Sequence, residues 1–562
     1  MTAREPDGGS VHVPRHVRAR RRMRELLRRP SLPDLDGGAT AIETRLRDRL
    51  LTPVPGSGLW GWIGALLVTA VAGVLRLVHL GRPDRLVFDE TYYVKEAYSL
   101  LTLGYPGEWD DKSDEDFAAG DFSGLNDTAD HVVHPSVGKW MIAAGMRLLG
   151  PDTPWGWRIS AAVIGTLSVL LLVRIGRRLF GSNLLGCTAG LLLAVDGVHI
   201  SLSRISILDI FVQFWVLAGF AALLLDREQY RRRLAARAAA ELATHGRYRD
   251  PWGPRTGMRW WLLIAAVLLG LACAVKWSGI YAVAVFGVVA VAWSVSARRS
   301  IGARLWVGGG LVRDGVRSFL TLVPTAAAVY VLTWLPWWLN PHTYMRHWAT
   351  DVNAVAANPQ RPWMPDWLNS WWEYHLQMWH FHNNLSSEHD YMSNPVGWLI
   401  QWRPTSFAWE KIQDISSPGL CGADQCVSAV TSLGNPVVWW GGALALLLVL
   451  WAAFWRRDWR AWAILAGYAA TYLPWFAYMD RTIFTFYTVA LAPFVALTLT
   501  FGLGMLLGPA RWPLRERRPG IWTAAGIVVL AVAVGAFYWP IWSGQWVSYD
   551  FWHWHMLLPS WI

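Results

Sequence analysis

The 562-residue sequence contains little charge and little cysteine. Only 16% of its residues are charged and four are cysteine, whereas 54% are hydrophobic. Disordered chains and coiled coils carry far more charge, and disulfide scaffolds carry more cysteine, so these classes are excluded. Lysine is also scarce, and the net charge of +11 comes from arginine that clusters beside apolar runs. This pattern does not indicate nucleic-acid binding.

The apolar residues form runs of about 20, the length that a helix needs to cross a bilayer. We predict an all-α polytopic membrane protein with eleven spans. The arginine-rich connections place the N-terminus in the cytoplasm and the C-terminus outside it. The predicted spans are residues 59–80, 155–179, 184–200, 205–225, 259–275, 279–296, 318–338, 435–455, 461–478, 483–507 and 520–541.

The predicted spans leave one long terminal segment and two long loops. Residues 1–58 are polar and rich in arginine, and we predict a disordered basic tail in the cytoplasm, followed by a membrane domain over 59–562. The loops 81–154 and 339–434 both fall on the outer side of the membrane. Long loops in compact proteins tend to carry function, so we expect the chemistry on this face.

One apolar segment of the first loop needs a separate interpretation. Residues 136–149 carry Lys139 and Arg147 and are shorter than a bilayer-crossing helix. A crossing here would also move the arginines of the next connection to the outer side and break the charge alternation. We therefore predict an amphipathic helix that lies on the outer surface of the membrane.

Two adjacent acids, Asp89 and Glu90, follow closely after the first predicted span. An acid at the start of a helix is stabilised by the helix dipole, and this explains one carboxylate without any function. A pair of acids beside Tyr93 at the bilayer surface also fits a general base that faces a lipid-borne substrate. From the residues alone, both interpretations remain open.

Several basic residues lie where a bilayer disfavours charge. Arg204 and Asp209 lie at the outer end of the fourth span. Either the two form an ion pair, or Arg204 faces a cavity, where its guanidinium can bind phosphate. Lys276 lies between two spans and either extends toward water or holds a phosphate. Arg481 follows Asp480 in an outer turn, where solvent accommodates both charges. The residues alone thus offer Arg204 and Lys276 as basic candidates for an anion site.

The second loop is rich in tryptophan and histidine. Its tryptophans either anchor the loop in the lipid interface or form a platform for an acceptor. His375, His382 and His389 recur every seven residues and lack the i, i+4 pair of a helical metal site, so we predict no metal here. Cys421 and Cys426 fall outside the membrane on this topology, and we predict a disulfide between them.

Several segments occur in an order that resembles a known family. The segments are FDETYYVKEAY, HPSVGKWMIA, WRISAAVIGTL, DGVHISLSRISILDIF, CAVKWSGIYA, WLIQWRP and YLPWFAYMDRTIFTFY. Over residues 59–545 the chain resembles the actinobacterial protein O-mannosyltransferases, which belong to the polyprenyl-phosphate-sugar glycosyltransferases of the glycosyltransferase C type. The resemblance implies a multi-span membrane fold with its site among the outer loops.

The resemblance also implies a reaction and roles for individual residues. Mannose is transferred, with inversion, from polyprenyl-phosphate mannose to Ser or Thr hydroxyls of exported proteins at the outer face of the plasma membrane. Asp89 is then the general base, and Glu90 orients it or contacts the acceptor. The implied donor-binding residues are Arg204, Arg481, Lys276, Lys139 and His134. The implied acceptor-contacting or cavity-lining residues are Tyr93, Asp209, His382, His389, Tyr391 and Arg403.

The implied partners are the lipid donor, membrane lipid and secreted acceptor polypeptides, with coupling to the secretion translocon as one arrangement. No metal or other cofactor is expected, although some relatives with this fold use a divalent metal at the acid pair. A related transferase of another lipid-linked sugar, such as arabinose, is the main alternative. A lipid transporter fits less well, because the acids lie in the outer loops rather than near the middle of spans.

Overall fold

Apolar helices dominate the chain. The computed structural model describes residues 31–56, 58–111, 113–413 and 421–562, with Trp60 described by its backbone alone. The helices are α1 (Gly38–Leu50), α2 (Leu59–Leu77), α3 (Glu90–Thr102), α4 (Ser113–Ala118), α5 (Val137–Leu149), α6 (Pro154–Phe180), α7 (Asn183–Ala194), α8 (Gly197–Leu202), α9 (Asp209–His245), α10 (Trp260–Val275), α11 (Gly279–Ser300), α12 (Trp306–Thr333), α13 (Leu335–Leu339), α14 (Asp366–Asn384), α15 (Pro436–Phe454), α16 (Trp459–Thr471), α17 (Ala492–Leu507), α18 (Leu514–Trp542) and α19 (Tyr549–Trp554).

Shorter elements lie between these helices. The strands are β1 (Gly107–Trp109), β2 (Leu125–Ala129), β3 (Thr405–Ile412), β4 (Cys426–Ser432) and β5 (Trp546–Ser548). Single 3-10 turns or short 3-10 helices lie at Pro395–Ile400, Leu473–Tyr478, Thr485–Ala490 and Pro559–Trp561, and π-helical turns lie at Gly309–Gly315 within α12 and at Ala349–Asn353.

Each of the eleven predicted spans coincides with helical structure. Among the described residues, six helices are long and apolar enough to cross a membrane, namely α6, α9, α11, α12, α15 and α18. Several others are apolar but shorter, so the number of crossings remains a prediction. The segment 184–200 is not one helix but two, α7 and α8. The break occurs because Asp196 caps α8 by accepting a hydrogen bond from the His199 backbone N–H at 3.2 Å.

One compact unit contains α1. It comprises the described residues of Met1–Thr52 together with Arg227–Arg259 and Ala290–Ser318. Ile42, Leu46 and Leu50 share one face of α1 and are buried against the second half of α9. The prediction of a disordered tail over 1–58 is therefore wrong for α1, because this apolar face gives the helix a packing partner. Residues 1–30 lie outside the described residues.

The second compact unit contains most of the apolar helices. It comprises Pro53–Asp226, Trp260–Val289 and Phe319–Ile562. In it α2, α6 and α7 pack together, and α15 packs on α17. A Cβ on Gly176 of α6 would lie 3.1 Å from the Cα of Gly186 in α7, so the two helices approach closely. The helix predicted at 136–149 is observed as α5, which packs on α3 and α6. Its position relative to the membrane surface remains a prediction.

The second predicted outer loop contributes to a small antiparallel sheet with the strand order β3-β4-β5. The register of β3 against β4 shifts between Ser406 and Ala408, which leaves a bulge at Phe407. A disulfide joins Cys421 to Cys426 at the start of β4, with their Cα atoms 5.8 Å apart, and this is the pairing that the sequence predicts.

Arg204 has a structural role in this unit. Its buried guanidinium donates to the backbone carbonyls of Leu75, Arg76, Val78, His79 and Ser543. Most of these carbonyls lie at or just beyond the C-terminus of α2, where no further turn of helix supplies donors. The predictions that Arg204 binds a donor phosphate or pairs with Asp209 are wrong, because these carbonyls take up the hydrogen bonds of both Nη atoms.

We expect Arg204→Met to lower the free energy of unfolding by on the order of 3 kcal/mol, because several buried carbonyls lose a charged donor. Thermal unfolding of the detergent-solubilised protein measures the change. Arg85→Met is the control, since the 2.9 Å ion pair of Arg85 with Glu410 is substantially exposed and contributes little. Equal melting temperatures for the two variants would contradict the structural role.

Candidate active site

Asp89 lies in the turn that leads into α3, but its side chain makes no capping hydrogen bond to that helix. Phe88, the residue before it, has a φ of +51°, a left-handed conformation that is strained for a residue with a side chain. The Phe88 ring packs against the rings of His389, Phe407, Phe484 and Phe486, with centroids 5.3 to 5.9 Å away. This aromatic packing offsets the strain and fixes the backbone that carries Asp89.

Glu90 is completely buried, and its carboxylate is satisfied by protein donors. Arg158 of α6 donates to both oxygens, at 2.9 Å from Nε and 2.8 Å from Nη2. The backbone N–H groups of Val87 and Ser206 donate to the same carboxylate at 3.1 and 2.8 Å. Glu90 therefore anchors the loop that carries Asp89, and it has no surface with which to contact an acceptor.

Asp89 is the freer acid of the pair and is partly accessible. Burial raises the pKa of Asp89 to about 6, the positive charge of Lys276 opposes this rise, and the carboxylates of Asp209 and Glu96 add to it. A carboxyl group with this pKa is ionised at neutral pH and still accepts a proton readily. The side chain therefore has the properties of a general base.

Lys276 and Asp209 form a buried ion pair beside Asp89. The Lys276 Nζ lies 3.0 and 3.2 Å from the two carboxylate oxygens of Asp209 and 4.6 Å from the centroid of the Tyr487 ring. Two predicted residues are thus brought together, but Asp209 pairs with Lys276 and not with Arg204. Lys276 also lines a cavity, so the same side chain pairs with Asp209 and borders the space where a substrate can bind.

The cavity has a volume of about 540 Å³, which suits a small ligand or part of a lipid. Basic and imidazole side chains line one part of it, namely Lys276, Arg481, His134 and His382. Apolar side chains of α11 and α12 line another part, among them Ile280, Val283, Val323, Ala327 and Val331. The cavity can therefore hold an anionic group together with an attached hydrocarbon chain.

His382 fixes the orientation of Arg481. Its Nε2 lies 2.7 Å from the Val133 carbonyl oxygen, which identifies this nitrogen as the protonated donor. The other ring nitrogen, Nδ1, then accepts a hydrogen bond from Arg481 Nη2 at 3.2 Å. Burial lowers the pKa of His382 to about 4, so the ring stays neutral and keeps this arrangement at physiological pH.

Three buried polar atoms of residues that line the cavity have no hydrogen-bond partner within the described parts of the chain. They are Nε of Arg481, Nδ1 of His134 and Nε1 of Trp371. The His134 ring stacks on His382 with a centroid distance of 4.8 Å, and burial holds the pKa of His134 well below its usual range. Unpaired buried polar atoms are costly, so a partner such as an anion would stabilise the N–H group of Arg481 Nε.

Lys139 and Tyr93 are buried and contact His134, but neither lines the cavity. Lys139 is buried, forms a 2.8 Å ion pair with Glu96 and donates to the His134 carbonyl at 2.9 Å. The prediction that Lys139 contacts the donor is wrong, because these contacts use the ammonium group away from the cavity. Tyr93 is buried with its ring 6.1 Å from that of His134, and burial together with the nearby Asp89 charge raises its pKa, so it remains protonated.

His389, Tyr391 and Arg403 form a separate cluster outside the cavity. The Arg403 guanidinium donates to the carbonyls of Asp390, Ser560 and Ile562 and lies 5.5 Å from the centroid of the Tyr391 ring. His389 contacts Phe88 and Tyr391. The prediction that Arg403 lines the cavity is wrong, because its donors hold two segments of backbone together. His389 also contacts the ring of Phe484, and Tyr391 contacts His389.

The acid pair is not arranged as a metal site. Both oxygens of Glu90 are bonded to Arg158, and the Lys276 ammonium already balances the neighbouring carboxylates. Among the described residues, no group of three or more His, Cys, Asp or Glu side chains is placed to hold a metal ion. The donor set therefore does not fit a divalent cation without rearrangement.

Four residues of the site were not predicted from the sequence, namely Arg158, Glu96, Trp277 and Tyr487. Arg158 lies in the first turns of an apolar span, where a charge is costly unless it is paired, and this position was a usable signal. Trp277 follows Lys276 and lines the cavity. Glu96 and Tyr487 gave no signal, because their importance comes from side chains that are distant in sequence.

Two family models match this chain. The model described as dolichyl-phosphate-mannose-protein mannosyltransferase matches residues 133–249, and the model of the C-terminal four-transmembrane region of protein O-mannosyltransferase matches residues 367–561. In structure, the chain resembles the Saccharomyces cerevisiae protein O-mannosyltransferase Pmt1-Pmt2 complex bound to the sugar donor. The TM-score is 0.67 at 15% identity, over 93% of this chain and 94% of the other, so the two share a fold.

Similar proteins are known over nearly the whole length. A polyprenol-phosphate-mannose–protein mannosyltransferase of Mycobacterium tuberculosis is 37% identical over 91% of this chain and 94% of its own length. A protein of the same name from Corynebacterium glutamicum is 32% identical over 88% of this chain and 91% of its own. The mannosyl interpretation therefore holds over the arabinosyl alternative. The chain belongs to the family of the polyprenol-phosphate-mannose–protein mannosyltransferases.

Proposed function

We propose that this member of the family transfers mannose from polyprenyl-phosphate mannose to Ser or Thr hydroxyls of exported proteins. The names of its relatives support this donor and a protein acceptor. The observation that carries the proposal is the cavity, whose lining combines apolar side chains with Lys276 and Arg481, and Lys276 is close enough to Asp89 to affect the pKa of that acid. Such a lining suits a substrate that carries a hydrocarbon tail, a phosphate and a sugar.

In this proposal the lipid phosphate binds between Lys276 and Arg481. Arg481 offers its unpaired Nε, and His134 offers a neutral ring nitrogen with no other partner in the described chain. The polyprenyl tail lies along the apolar side chains of α11 and α12. The two cations then stabilise the negative charge that grows on the phosphate as it departs.

Asp89 is the general base in this proposal. The acceptor oxygen forms a bond to the anomeric carbon of mannose while the bond from that carbon to the phosphate oxygen breaks. The electron pair leaves with the phosphate, and the hydroxyl proton passes to Asp89. Because Glu90 is locked to Arg158, only one carboxylate is free to act, and direct displacement with inversion follows.

We further propose that the reaction takes place at the outer face of the plasma membrane. The arginine-rich connections favour eleven spans with a cytoplasmic N-terminus, an extracytoplasmic C-terminus and the loops 81–154 and 339–434 on the outer side. The acceptors are then exported polypeptides, met as they emerge from the secretion translocon. No metal or other cofactor takes part, since the cations of the site are supplied by Lys276 and Arg481.

We expect Asp89→Asn to lower the rate of mannose transfer by about 10² to 10⁴, because the hydroxyl loses its proton acceptor. Incorporation of radiolabelled mannose into a Thr-containing peptide measures the rate with the purified full-length enzyme. Asp84→Asn is the matched control, since Asp84 is an exposed acid of the same loop. Wild-type activity in Asp89→Asn with a normal melting temperature would end the assignment.

The pH profile should report the ionisation of Asp89. We expect kcat/KM to rise with pH through about 6, where Asp89 loses its proton, because only the ionised carboxylate accepts the hydroxyl proton. His134 and His382 stay neutral over this range, so neither adds a further change of kcat/KM with pH. Glu96→Gln removes a charge that raises the pKa of Asp89, so the acidic limb should move to lower pH. A flat profile from about pH 5 to 8 would be incompatible with the assignment.

Excess EDTA should leave the turnover of the purified enzyme unchanged, because the donor set at Asp89 and Glu90 pairs with Lys276 and Arg158 rather than with a metal. The measurement is the initial rate before and after chelation, followed by addition of Mg²⁺ or Mn²⁺. Loss of activity on chelation that either metal restores would show that a divalent cation takes part.

A further inference from the structure

The sheet formed by β3, β4 and β5 has β3 at one edge. Side chains from other segments contact both of its faces. On one face Arg85 pairs with Glu410 of β3 at 2.9 Å, and Pro83 approaches Gly544, so the loop before Asp89 lies over the sheet. On the other face Trp409 contacts Trp552, with ring centroids 6.0 Å apart. What these contacts leave open is the outer edge of β3.

The backbone of β3 is paired on one side only. Its hydrogen-bonded neighbour is β4, and within the described part of the chain no backbone group bonds to its other edge. Eight residues long, β3 has a second edge whose N–H and C=O groups make no backbone hydrogen bond to the described residues; Thr405 and Phe407 are buried, whereas the rest of the strand is at least partly exposed. Such an edge is the surface to which an extended peptide adds as a further strand.

This edge is continuous with the candidate active site. The bulge in β3 directs Phe407 into the aromatic cluster, where its ring lies 5.3 Å from that of Phe88. Phe88 is bonded to Asp89. A strand added to β3 would lie about 4.8 Å beyond it. The contacts of Phe407 with Phe88 and of Glu410 with Arg85 place β3 itself against the loop that carries the base.

We propose that the acceptor polypeptide binds as an extended strand added to the free edge of β3, an inference that rests on the proposed function. Alternate side chains of a strand point to the same face, so every second residue of the acceptor faces the loop at 82–89. A Ser or Thr at such a position brings its hydroxyl toward Asp89. Backbone hydrogen bonds to β3 hold the acceptor. Asp89 then accepts the proton of the hydroxyl that the register of the acceptor against β3 brings to it.

Backbone N-methylation of a synthetic acceptor peptide tests this proposal. Each amide of a peptide with a single Thr is methylated in turn, and steady-state mannose transfer is measured with the full-length enzyme. We expect KM to rise about fivefold at every second residue near the Thr, with kcat unchanged, because only those N–H groups donate to β3. Methylation at the intervening residues is the internal control and should leave KM unchanged.

Equal effects at all positions, or none, would overturn the edge-strand proposal while leaving the mannosyl transfer itself intact. Failure of the unmethylated peptide to accept mannose would instead overturn the proposed function. A benzophenone-bearing peptide locates the strand directly, and we expect it to attach within residues 405–412. Attachment confined to other segments would assign this edge to another partner. So would a disulfide between two copies of a Ser406→Cys enzyme, if its formation prevents the peptide from binding.

Discussion

The buried ion pair between Glu90 and Arg158 is the constraint on which the rest of the site depends. Removing two charges from water is costly, and such a pair is tolerated only when every hydrogen bond is made. Here Arg158 also donates to the carbonyls of Pro83 and Arg85, at 2.6 and 2.8 Å. The pair thus ties the loop before α3 to α6, and it leaves the adjacent acid, Asp89, as the one that is free to react.

The remaining basic side chains fall into two groups, one that stabilises the fold and one that lines the cavity. Arg204 and Lys139 satisfy buried acceptors, whereas Lys276 and Arg481 keep part of their surface toward the cavity. His382 connects the two groups, since its neutral ring is held by a backbone carbonyl and in turn holds Arg481. At the proposed phosphate site the cations are therefore held in place before a phosphate binds, which lowers the cost of ordering them.

Much of this arrangement follows from the sequence, and the reasons for the exceptions are physical. Hydropathy and arginine placement predict the helices, and the acid pair marks the loop that carries Asp89. Sequence patterns do not reveal which buried arginine has a protein partner, so Arg204 and Arg403 were assigned to the site while Arg158 was missed. Their partners are mostly backbone carbonyls from distant segments. Because every residue type has the same backbone carbonyl, the sequence does not indicate which one accepts such a hydrogen bond. The helix α1 was not predicted, because its segment contains many charged residues and only a short apolar face.

The most direct test of the central claim is a structure of the enzyme with polyprenyl phosphate, the lipid product of the reaction. The account predicts that the phosphate lies within hydrogen-bond distance of Lys276 and Arg481, with the tail along α11 and α12 and an open path to Asp89. A phosphate bound outside this cavity, or separated from Asp89 by protein, would contradict it.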